Sequence, residues 1–207
     1  MKKIILPAAT LLLFSLMSFT KKSIHSDVYK VDRSISSLEW YAEKVTGKHN
    51  GTIKISSGEI SDTHGSYTGT FEIDMSSIED KDLESAEYKA KLENHLKSPD
   101  FFDAAKYPTS KFVLTSVSPL PAPKDGLTHA VKGLLTIKDK TNEITFDAAI
   151  KMEGDKIFAT GSAVVDRSKF DIKYGSKTFF ADIGDKMIYD DFTLKFNVVA
   201  IKQAATH

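Results

Sequence analysis

Cysteine is absent from the 207-residue chain. That excludes a disulfide framework, thiolate-ligated zinc, iron–sulfur clusters, thiol catalysis and a lipid anchor on an N-terminal cysteine. Charge of one sign is also missing, since Lys plus Arg number 28 and Asp plus Glu number 28. A net charge of zero excludes a generally basic nucleic-acid binder and a polyanionic tail. Proline is confined to one region. Five of the six prolines lie between Pro99 and Pro123, and none occurs from Lys21 to Ser98 or after Lys124. Proline cannot donate to a β-ladder, so the proline-free stretches leave room for central strands. After residue 20 no apolar run is long enough to span a membrane, which takes about 20 residues.

Residues 1–20 read as a secretory signal peptide. Lys2 and Lys3 form a basic start, Ile4 to Met17 is almost wholly apolar, and the small residues Ser18 and Thr20 precede Lys21. That order matches a leader better than a membrane anchor, because the run is short and Pro7 interrupts it. Cleavage would leave 26 basic against 28 acidic side chains. A periplasmic or secreted location is expected, and residues 21–207 read as one domain.

What is abundant is alternation. Leu38, Trp40 and Ala42 share one face; so do Tyr67, Gly69, Phe71, Ile73 and Met75. Ile144, Phe146, Ala148, Ile150 and Met152 lie opposite Thr145, Asp147, Ala149, Lys151 and Glu153, and Leu194, Phe196, Val198 and Ala200 repeat the pattern. One dry face and one wet face at period two mark antiparallel strands. Strands are expected near 28–33, 36–46, 51–60, 65–76, 109–118, 127–138, 142–153, 156–166 and 191–201. Asn50-Gly51 is the strongest hairpin signal, since a type I′ turn needs positive φ at both positions. Ser57-Gly58, His64-Gly65, Asp125-Gly126 and Gly154-Asp155 are weaker punctuation.

One segment breaks the rhythm. Asp82 to Lys97 has no Gly or Pro, and Tyr88, Leu92 and Leu96 recur at helical spacing. Pro99 closes it, and Asp80 or Asp82 is a candidate cap. Lys169 to Asp190 reads as a loop with a helical turn at Phe179-Phe180, and Pro119 to Pro123 as a stiff connection. The fold class is all-β with one helix, a sandwich or barrel.

Catalytic signatures are sparse. The six histidines show no i, i+2 or i, i+4 pairing, and there is no HExxH. No metal site is expected from spacing, although one assembled from distant strands stays open. GxSxG, a Walker loop and GxGxxG are all missing, so neither a nucleophile elbow nor a nucleotide cradle is expected. An enzyme would have to draw on His95, Arg167 and the Asp190-Asp191 region, which nothing clusters in sequence. Adjacent strand residues such as Asp190 and Asp191 face opposite ways.

The alternating faces carry Trp40, Phe71, Phe112, Phe146, Phe158 and Phe196, with Leu114 and Val198 beside them. They form either a filled core or the wall of an apolar lumen. A barrel of about eight strands can be just filled or can hold one small ligand.

Several stretches carry a family resemblance. They are Tyr29-Lys30-Val31-Asp32-Arg33-Ser34, His95-Leu96-Lys97-Ser98-Pro99-Asp100-Phe101-Phe102-Asp103 with Tyr107-Pro108-Thr109-Ser110-Lys111-Phe112, Val131-Lys132-Gly133-Leu134-Leu135, and Asp166-Arg167-Ser168-Lys169-Phe170. From about residue 28 to 201 the chain resembles the YceI family of exported bacterial proteins. The resemblance implies an extended, lipocalin-like antiparallel barrel with a helix packed against it. It also implies a long isoprenoid lipid, of polyprenyl or quinone-tail type, bound in the lumen without catalysis or cofactor. On that reading Trp40, Phe71, Phe112, Leu114, Phe146, Phe158, Phe196 and Val198 would contact the lipid. Phe101, Phe102 and Pro108 would pin the helix. Two departures, Asp171 where many members carry glycine and Lys138-Asp139-Lys140-Thr141 where a Lys-Gly pair is usual, are expected to reshape a mouth loop. The alternatives are a stress-response interaction module with a filled barrel, or an enzyme. A homodimer is compatible with the fold class but has no sequence signature.

Overall fold

A computed structural model describes residues 26–204; the expected signal peptide lies outside them. The strands are β1 (Asp27–Val31), β2 (Ser37–Lys44), β3 (Gly47–Thr63), β4 (Ser66–Asp80), β5 (Thr109–Lys124), β6 (Leu127–Ile137), β7 (Lys140–Glu153), β8 (Lys156–Asp166) and β9 (Ile188–Lys202). One helix, α1 (Ala86–Lys97), separates β4 from β5. All pairings are antiparallel. The sheet runs β3-β2-β9-β8-β7-β6-β5-β4 and closes where β4 meets β3 again. β1 also lies between β3 and β9, so β1 and β2 are two pieces of one rung. The result is an eight-rung barrel. Closure removes the exposed edges that an open sheet would present.

The strongest turn signal in the sequence misplaces a turn. Lys44 pairs with Gly47, so the β2–β3 hairpin turns at Val45-Thr46, and Asn50-Gly51 lies inside β3. Gly51 is there for a close approach. A Cβ at that position would stand 1.9 Å from the Glu79 carbonyl oxygen and 2.7 Å from the Trp40 ring. Gly51→Ala should therefore lower stability by several kcal/mol, since neither backbone nor a packed indole can yield cheaply; urea unfolding would measure it. The weaker signal at His64-Gly65 is the real type I′ turn, with φ of 55° and 88°.

The stretch Pro119 to Pro123 also differs from its reading as a connection. It continues β5, whose pairing with β4 ends at Leu114 while its pairing with β6 runs on to Lys124. Missing N–H groups are tolerated on that free edge. The helix starts later than expected, with Ser85 as N-cap accepting from the Tyr88 N–H at 3.4 Å. Neither Asp80 nor Asp82 caps it. Lys89 ties it to β4, with Nζ 3.0 Å from Glu79 Oε1, and Glu93 Oε1 accepts the Asp80 N–H at 2.9 Å.

The connections sort the barrel into two ends. The tight turns at 64–65, 125–126 and 154–155 lie at one end. The other end carries the β2–β3 and β6–β7 turns, α1 with the 98–108 segment, and the 167–187 loop. Phe101, Phe170, Ile172, Leu135, Ile137 and Val165 pack into one buried cluster that seals this second end.

Candidate ligand-binding site: the barrel lumen

Period-two alternation turns one face of each strand into the barrel axis. Along that axis lie two cavities. The first, of about 170 Å³, opens toward the end with tight hairpins. Phe71, Phe112, Leu114, Phe146, Phe196 and Val198 all line it. Their rings form a chain: Phe71 to Phe112 at 6.1 Å, Phe112 to Phe146 at 5.8 Å and Phe146 to Phe196 at 5.4 Å between centroids. Every other lining side chain is apolar except Tyr67, whose hydroxyl donates to Met152 Sδ at 3.3 Å across the mouth. The second cavity, of about 110 Å³, lies under α1 and is lined by Trp40, Ile53, Met75, Phe102 and Phe192 among others. Leu38, Ile73, Leu135 and Leu194 border both cavities and form a waist between them.

The sequence expectation groups eight residues. The structure brings six together in the first cavity and sets Trp40 in the second. Phe158 is misplaced by one residue of register. Its neighbours Ile157 and Ala159 line the cavity, so Phe158 points to the outer face opposite Lys151 and Val199. Size drew attention to Phe158; alternation through the small residues Ala159, Gly161 and Ala163 is the signal that would have excluded it. Sequence reasoning also passed over the waist and the mouth, although Leu38, Ile73, Ile150 and Met152 stand on alternating faces already recognised. Gly133 contributes by what it lacks. A Cβ there would fall 2.4 Å from the Phe112 ring, so this bare position lets the ring lie over β6.

The groups named for an enzyme do not meet in the lumen as free chemistry. Arg167, 4% exposed, donates to the carbonyl oxygens of Ile172, Tyr174, Ile188 and Tyr189 at 2.8–3.2 Å. Its Nη2 lies 3.2 Å from Asp190 Oδ1. Burial lowers its pKa from the ordinary arginine value, and Asp190 opposes that shift. The guanidinium is a clamp that holds the 171–190 loop over the sealed end. Asp190 also accepts from Thr178 Oγ1 at 2.6 Å, while Asp191 is exposed on the other face. His95 Nε2 sits 3.3 Å from Asp100 and packs edge-on against Phe101 and Tyr174. Phe101 and Phe102 pack where α1 meets the barrel, and the Pro108 carbonyl accepts the Met75 N–H at 2.9 Å. The departures at Lys138 and Asp171 lie at the sealed end, not at the mouth. Both adopt positive φ, 56° and 59°, which explains why glycine suits those positions.

A closed antiparallel barrel with a dry axial lumen, sealed at one end by a helix and a clamped loop, defines a lipocalin-like binding protein. The comparisons place it more narrowly. The YceI-like domain matches residues 29–200, and the chain belongs to that family. It is similar to a UPF0312 protein of Photorhabdus laumondii, 31% identical over 113 residues, 55% of this chain and 56% of the relative. It is also similar to Protein YceI of Escherichia coli, 38% identical over 66 residues and 32% of each chain. The chain thus spans about half or less of the length of these curated relatives. Among solved structures, the fold is similar to BcnA of Burkholderia cenocepacia (TM-score 0.62, 24% identity, 82% of this chain and 98% of that one). It is equally similar to a polyisoprenoid binding domain from Saccharophagus degradans (TM-score 0.63, 15% identity, 84% and 98%).

Proposed function

We propose that this protein binds and carries a long isoprenoid lipid, of polyprenyl or quinone-tail type, in the barrel lumen, with no catalytic step. The observation that carries the reading is a cavity that neither water nor side chains fill well. Apolar cavities of this size stay dry. At about 24 cal/mol per Å³, leaving the 170 Å³ chamber empty forgoes about 4 kcal/mol of packing. A hydrocarbon chain recovers it. The shape favours a tail over a compact ligand, because two chambers lie end to end. With one end sealed, the tail enters first and the polar head stays near Tyr67 and Met152. The similarity to a polyisoprenoid binding domain supports an isoprenoid over a straight chain. Residues 1–20 support action in the periplasm or outside the cell.

Solvent extraction of the purified protein followed by mass spectrometry tests this. A compound whose fragments are spaced by one isoprene unit is expected. A straight-chain fatty acid would overturn the isoprenoid assignment and keep the lumen as the site. A clean extract, together with no uptake of added polyprenol, would overturn carriage itself and favour the filled-barrel interaction module.

A further inference from the structure

Outside the lumen, three potential ligand side chains converge where β3 meets the connection into α1. His49 stands in β3, Asp80 is the last residue of β4 and pairs with Gly51, and Asp82 follows two residues later. One donor atom from each lies within 4.8 Å of the others. His49 Nδ1 and Asp82 Oδ2 are 3.0 Å apart. The other Asp82 oxygen accepts the Asn50 N–H at 2.7 Å, which fixes its orientation. Asp80 is the informative member. It is 0% exposed; Oδ1 accepts the Leu83 N–H at 2.9 Å, but Oδ2 is buried with no hydrogen-bond partner. A buried, unpaired carboxylate oxygen is costly and calls for a partner.

No neighbouring lysine supplies one. Lys81 Nζ is held by Glu79 at 2.8 Å, and Lys89 Nζ by Glu79 at 3.0 Å with Glu93 beyond it at 4.0 Å. The Asp80 carboxyl faces that of Asp82, and burial raises its pKa above the ordinary aspartate range. Two carboxylates facing each other beside an imidazole need a cation or a shared proton between them.

The geometry points to a divalent first-row metal site formed by His49, Asp80 and Asp82. An imidazole nitrogen with two carboxylate oxygens suits zinc and its neighbours, whereas magnesium and calcium favour oxygen alone. Metal–ligand bonds of about 2.0–2.2 Å place neighbouring donors roughly 3.3 Å apart. The His49–Asp82 pair already has that spacing, and the Asp80 carboxyl closes the set by a small rotation. Three protein donors leave a position for water. Since α1 begins at Ala86, the ion would brace the root of the helix that covers the inner cavity.

The test uses untagged protein stripped with EDTA and titrated with zinc chloride by calorimetry, with melting followed in parallel. One zinc per chain is expected, with a rise in melting temperature that EDTA reverses and that excess magnesium does not compete away. Asp80→Asn keeps size and an acceptor for the Leu83 N–H, and His49→Gln alters a partly exposed position; both variants should fold. Each should bind zinc more than about tenfold more weakly. Absence of saturable binding, magnesium competition, or unchanged binding in both variants would overturn the site. If wild type binds no zinc and Asp80→Asn melts higher, a proton shared by the two aspartates is the correct account.

Discussion

Ala159→Trp is expected to abolish lipid uptake while the barrel stays folded. Ala159 lines the open chamber between Ile150 and Val198, its neighbours in the ladder, so an indole there projects into the axis. Overpacking a dense core costs about 1–3 kcal/mol, but this ring enters space that is already vacant. The melting temperature should hold or rise. Binding should not survive. Each methylene taken from water contributes about 0.8 kcal/mol, so denying a tail some six of them removes about 5 kcal/mol. That is more than about a thousandfold in affinity. A fluorescent polyene or radiolabelled polyprenol reads the loss directly. Phe158→Trp is the control, since Phe158 faces outward one residue away and its enlargement should leave uptake intact. Undiminished uptake by the Ala159 variant would place the lipid outside the chamber.

Arg167→Met should destabilise the protein by about 3–5 kcal/mol, the cost of breaking a buried ion pair by removing one partner. Methionine fills similar volume but donates nothing. The carbonyls of Ile172, Tyr174, Ile188 and Tyr189 lose their donor together, and Asp190 keeps a charge with no counterion beside it. Urea unfolding gives the magnitude. Hydrogen exchange locates it, with the 171–190 loop losing protection before the strands do. A loss below about 1 kcal/mol would show that the loop holds without the clamp. Because Arg167 borders the inner cavity, a moderately destabilised variant should also leak bound lipid faster.

The strands were legible because burial on one face leaves a period that no other structure produces. Tyr67 to Met75 and Ile144 to Met152 kept their faces in the barrel. Turns were harder. Asn50-Gly51 carries the chemistry of a hairpin, but glycine also serves where two backbones crowd, and only the Trp40 and Glu79 contacts distinguish the cases. The lumen wall was legible where aromatic size and parity agreed. It failed at Phe158, where size won over parity. Arg167 was visible as a charge within a family motif, yet its role depends on carbonyls up to 22 residues away. His49 and Asp82 lie 33 positions apart, so no spacing rule joins them. Closure of the barrel into a single lumen was legible chiefly through the family resemblance.

The pairing of β1 and β2 with β9 has a consequence for synthesis. The first rung of the ring is completed by the last strand, and until Lys202 is clear of the ribosome the nascent chain is a curled sheet with two bare margins. Such non-local closure is slow, and bare margins template pairing between neighbouring chains. A premature stop before Phe192 would therefore do worse than shorten the molecule. It would leave β2 and β8 each seeking a strand, and truncated copies would recruit one another end to end into insoluble polymer.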